Sequence, residues 1–154
     1  MPMHVHNRHR IRVAAPIAQA FMFFTPAGEE LWVEGWRPRY VRPADGTTVA
    51  GMVFVTGDAE QFTVWHLLDF DCVQYRSRYL RTTPALRTGT VDVQCSPEGD
   101  HATMVDVAYT MTALSAAGEA SLRAFEGEAF IRMIDDWRLR IEAALPVLLA
   151  ATMR

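Results

Sequence analysis

The chain has 154 residues, 50% of them apolar and 21% charged, with a formal net charge of −3. That length fits one domain, residues 1–154, whose core needs no disulfide or metal staple, and the charge balance excludes a nucleic-acid surface. All 15 basic residues are arginine, which excludes a Schiff-base lysine, a pyridoxal-phosphate anchor and a phosphate loop of the G-x-x-x-x-G-K-[ST] type.

Residues 4–13 (HVHNRHRIRV) set Val5, Ile11 and Val13 among polar neighbours, which predicts a half-solvated edge strand. His4 and His6 share one face of it and His9 the other. With no carboxylate nearby in sequence they read as a solvated, frayed terminus and not as a metal site. The basic start lacks an apolar stretch of the secretory type, and the run from Ala143 to Met153 is too short to span a membrane. Cys72 and Cys95 are too far apart for a C-x-x-C motif, so the reading is a cytoplasmic chain with two free thiols. A helix follows from Ala14-Ala15-Pro16, carrying Ile17, Ala20, Phe21 and Phe24 and stopped by Thr25-Pro26. Ala27 to Trp36 predicts a second short helix with an aromatic face.

The period then changes to two. Candidate strands are 37–42, 49–56, 61–70, 73–82, 85–95 and 102–113, separated by Asp-Gly, Gly-Asp and Pro-containing turns. Connections this short demand antiparallel neighbours, hence a six-stranded meander and about seven strands in all. Ser115 is the expected N-cap of a helix over 116–145. Its apolar positions cover an arc of about 200° at 100° per residue, wider than a helix lying on a flat sheet requires. Pro146 is expected to end or kink it, leaving Val147 to Ala151 as an apolar tail. The class is α+β, a curved antiparallel sheet gripping a long helix, with a cavity between them.

The segments APIAQAFMFFTPAGEELWVEGWRPRY, GMVFVT, TVWHLLDFD, VDVAYTMTALSAAGEASL and FIRMIDDW, in this order, resemble the SRPBCC superfamily, also called START-like or Bet v 1-like. The resemblance covers about residues 8–145. It implies a helix-grip fold with a deep, largely apolar pocket; no cofactor is expected. Members include lipid and sterol carriers, plant hormone and allergen proteins, aromatic polyketide cyclases, Hsp90-ATPase activators and oxygenase domains, so fold alone does not choose the function.

On strand 61–70, Phe62, Val64, Leu68 and Phe70 alternate as one face, and His66 lies on it. If that face is the inner one, His66 is either a proton donor and acceptor for a ligand or a structural histidine tied to a neighbour. Strand 73–82 groups Val73, Tyr75, Ser77 and Tyr79, and strand 102–113 groups Val105, Val107, Tyr109 and Met111. The tyrosines either orient a ligand or complete the core. Trp32 and Trp36 read as lid aromatics or as packing under the second helix, and Phe130, Met133, Ile134 and Trp137 supply the helix wall. Arg37, Arg39, Arg42, Arg76, Arg78 and Arg81 read as outward charges, with an anion clamp as the alternative for Arg81. The leading expectation is a binder of a hydrophobic or amphipathic small molecule. The alternatives are a cyclase or dehydratase using His66 with the tyrosines, and an interaction module with a vestigial pocket. Homodimerisation stays open.

Overall fold

Strand pairing follows the turn chemistry. The computed structural model describes residues 3–152; Met1, Pro2, Met153 and Arg154, at the outer ends of the basic start and the apolar end, lie outside them. β1 (His4–Val13) is followed by α1 (Ile17–Met22) and α2 (Pro26–Glu29). The meander β2 (Arg39–Arg42), β3 (Val53–Thr56), β4 (Thr63–Asp71), β5 (Arg76–Thr83), β6 (Arg87–Glu98) and β7 (Ala102–Ala113) comes next. The chain closes with α3 (Ala116–Leu122) and α4 (Gly127–Thr152). All seven strands form one antiparallel sheet in the order β1-β7-β6-β5-β4-β3-β2. This is the expected class and element order. No helix among the described residues is long and apolar enough to cross a membrane.

The core lies between the concave sheet face and the helices. Val105, Val107 and Met111 of β7 meet Phe130, Ile134, Ile141 and Leu148 of α4, all fully buried. Each such side chain stabilises the fold by roughly 1.5–3 kcal/mol relative to leaving it in water. Several local expectations are corrected. β1 is not frayed: it pairs with β7 from His4 onward, His4 and His6 bond to Thr112 and Thr110, and His9 Nε2 meets Asp135 at 2.8 Å. The second helix is one turn long, and residues after Glu29 continue as irregular turns. The C-terminal helix is interrupted. Ser115 does cap α3, accepting from the Gly118 N–H, but a 3₁₀ turn at Arg123–Phe125 and an extended Glu126 separate α3 from α4. Gly127 restarts the helix at φ +50, a left-handed conformation that glycine adopts without steric cost. Pro146 does not end α4, which continues to Thr152. Pro146 and Glu142 are exposed, so the carbonyl that loses its partner there faces water.

β4 presents the opposite face from that expected. Thr63, Trp65 and Leu67 are buried, whereas His66 is exposed and Phe62 and Leu68 are 37% and 47% exposed. A bulge between Leu67 and Asp69 inserts one residue, so Phe70 turns inward again and stacks on Phe21 at 5.3 Å. Val64, His66 and Leu68 precede that shift and lie on the outer face.

Candidate functional site

The turn from α1 into α2 leaves backbone carbonyls without helical partners, and three large side chains satisfy them. Trp32 Nε1 donates to the Phe23 carbonyl at 2.8 Å, Tyr79 Oη to Phe24 at 3.0 Å and Trp36 Nε1 to Pro26 at 2.9 Å. Trp32 and Tyr79 are thereby fixed in the core and do not line the cavity. Phe130, Ile134 and Val107 are fully buried core residues. Tyr75 packs edge-on against Phe21, Ser77 is buried with its hydroxyl unpartnered, and Val73 is 86% exposed in the β4–β5 turn.

Of the residues singled out from sequence, the cavity brings together Trp36, Tyr109, Met133 and Trp137, and with them Arg81, the alternative anion clamp. It measures about 280 Å³ and lies between the sheet, the turns after α2 and the first half of α4. Its remaining wall comes from Glu29, Val33, Thr56, Gln61, Thr63, Trp65, Arg87 and Phe125. Strand parity carried a signal for Arg81, which shares the parity of Ser77 and Tyr79. Arg87 likewise shares the parity of the buried Val91, Val93 and Cys95. Glu29, Val33 and Phe125 depend on turns whose course no periodicity announces. A larger recess of about 480 Å³ on the outer sheet face is lined by surface charges already paired, such as Arg78 with Asp92 at 2.6 Å.

Aromatic faces hold both guanidinium groups of the cavity. Arg81 Cζ sits 4.6 Å from the Trp65 ring centroid and 5.8 Å from that of Phe125, and Arg87 Cζ lies 5.2 Å from Phe125. Trp65 is itself fixed, stacked on Phe54 at 5.6 Å and donating Nε1–H to Thr56 at 2.9 Å. Across the sheet Arg81 pairs with Gly89, where an added Cβ would lie 1.9 Å from the Thr110 carbonyl oxygen. Arg87 is 7% exposed, and the Nε atoms of Arg81 and Arg87 are buried without a hydrogen-bond partner. Among the described residues neither guanidinium is ion-paired to a carboxylate.

Burial and these charges shift the neighbouring groups. Burial holds the Glu29 carboxyl, which lines the cavity, well above the usual carboxylate range, with Arg81 pulling the other way. Burial pushes the Tyr109 phenol up to about 12, opposed by Arg81. Arg87 is lowered to about 10 by burial and then by the like charge of Arg81, so it stays cationic at neutral pH. No cluster of three or more potential metal ligands occurs among the described residues.

A curved seven-stranded sheet wrapped on a terminal helix, with a cavity under the grip, can be compared with solved structures. A protein from Thermobifida fusca superposes with a TM-score of 0.60 at 18% identity, over 96% of this chain and 92% of that one. Ara h 8.0201 gives 0.63 at 13% identity, over 96% and 99%. Norcoclaurine synthase from Thalictrum flavum, solved with dopamine and hydroxybenzaldehyde, gives 0.61 at 10% identity, over 89% and 85%. This is the Bet v 1-like fold. No protein-family model and no curated protein sequence matches the chain. Fold relatives therefore include an enzyme, and at these identities the likeness extends to architecture alone.

Proposed function

We propose that this Bet v 1-like chain binds a small amphipathic molecule in the cavity between sheet and α4. The observation that carries the reading is the cavity itself, about 280 Å³ of space walled by Trp36, Trp65, Phe125 and Trp137 with a few polar groups converging on it. That combination is the usual make-up of a small-molecule site, at the small end of the ordinary range of roughly 300–1,000 Å³. Titration with the neutral dye N-phenyl-1-naphthylamine tests it. Saturable binding of one dye per chain with quenching of tryptophan emission is the expected result, and the absence of saturable binding removes the reading.

An enzymatic reading of the cyclase or dehydratase kind is favoured by one observation, the Glu29 carboxyl beside Arg81 and Tyr109 with its proton held more tightly than usual. Glu29, and not the outward His66, would then move the proton, and turnover of a polyketide-like substrate would be lost in Glu29→Gln. The free thiols Cys72 and Cys95 support a reducing, cytoplasmic setting for either activity.

A further inference from the structure

We propose that the cavity selects small organic carboxylates, the carboxylate bridging Arg81 and Arg87 while the apolar body lies against Trp36, Phe125 and Trp137. This rests on the cavity reading above and names the chemical class of its ligand.

Three observations carry it. First, two guanidinium groups sit inside one aromatic-walled cavity without an ion-pair partner, and Arg87 is more than nine-tenths buried. Buried charge is costly unless it is paired, yet the arginines this chain does pair, as Arg10 with Asp106 at 3.0 Å and Arg78 with Asp92 at 2.6 Å, are exposed ones. Second, Nε of both arginines is a buried donor without an acceptor. A guanidinium recognises a carboxylate through parallel N–H groups, and here Trp65 lies against the Arg81 guanidinium and Phe125 against both, so a ligand meets the terminal N–H groups while each Nε is enclosed by protein. Third, the cavity's own carboxyl, Glu29, is within electrostatic reach of Arg81 but does not bridge to it. An incoming carboxylate supplies the bridging charge that Glu29 does not.

Calorimetric titration of the full chain with 2-naphthoate, its neutral isostere 2-naphthamide and 2-naphthyl phosphate tests the assignment. The wild-type chain is expected to bind 2-naphthoate about tenfold or more tighter than 2-naphthamide, the order of one charge-assisted bidentate contact. Arg87→Met is expected to bring the two within about twofold of each other, leaving the 2-naphthamide affinity in place as evidence of a folded cavity. Arg81→Lys, which keeps the charge and loses the fork, is expected to fall between the two and serves if Arg87→Met does not fold. Equal wild-type affinity for acid and amide overturns the carboxylate clamp while leaving the cavity reading intact, as does an unchanged preference in both variants. Tighter binding of the phosphate reassigns the clamp to phosphoanions and overturns the proposal. Binding of none of the three removes the cavity reading, and this inference with it.

Discussion

The two ends of the same strands make opposite interiors. At one end of the sheet β4, β5 and β6 turn Leu67, Tyr79, Val91 and Val93 inward, and these pack in one cluster with Phe21, Phe24 and α4, with no charged side chain among them. At the other end the same inward positions are Thr63, Arg81, Thr83 and Arg87, with a Thr63–Thr83 hydroxyl pair at 2.7 Å and a cavity in place of packed side chains. Strand parity is continuous along both halves, so the backbone does not impose the difference. It lies in the side chains, and it separates the part of the interior that holds the fold from the part arranged around an occupant.

Substitutions that treat the two ends alike put this contrast to the test. At the packed end, Phe130→Ala removes a fully buried ring that packs on Tyr109 and is expected to cost about 3–5 kcal/mol in urea unfolding. A loss below about 1 kcal/mol would mean this end is not the stabilising one. At the cavity end, Arg87→Met is expected to leave the empty chain no less stable and to gain about 1 kcal/mol or more, because it deletes an unpaired buried charge and keeps the volume. A marked loss by the same measurement would show Arg87 to be structural.

Glu29→Gln gives a smaller, pH-dependent effect. The native carboxyl holds its proton more tightly than the unfolded one, so wild-type stability falls as pH rises from about 4.3 through the raised native value and stays lower above it. Glutamine does not titrate. Thermal melts should therefore show Glu29→Gln gaining on the wild type as pH rises above about 4.3, with no difference at about pH 4. The smallest effect is expected for His66→Ala on the exposed outer face: stability within about 0.5 kcal/mol of wild type and unchanged dye affinity. A tenfold weaker dye affinity would place that imidazole in the cavity after all.

Much of the architecture was legible because period and turn residues are local. The change from 3.6 to two near residue 37, the paired Asp-Gly and Gly-Asp turns, and Ser115 at its cap each report on neighbouring residues alone. The inner face of β4 was not legible, since Phe62, Val64, Leu68 and Phe70 alternate as well as Thr63, Trp65 and Leu67 do, and the bulge between Leu67 and Asp69 moves Phe70 to the side of Leu67. The interruption at Glu126–Gly127 was hidden because Leu122, Phe125, Phe130, Met133 and Trp137 keep helical spacing across it, and a lone glycine costs a helix only about 1 kcal/mol. Arg81 reads first as an outward charge, with the clamp only as its alternative, and Arg87 is not singled out, for a different reason. A charged residue on a strand is usually a surface residue, and what seats Arg81 and Arg87 indoors is Trp65 and Phe125, which come from elsewhere in the chain.

The gap between α3 and α4 also gives the edge of the sheet a hold on its interior. Phe125, the ring shared by both guanidiniums, rides on a short arm slung between Ser115 and Gly127, and the side-chain amide of Asn7 on β1 grips that arm by donating to the Phe125 carbonyl. An outermost strand that lines no part of the hollow thus helps to hold one of its walls through a peptide oxygen.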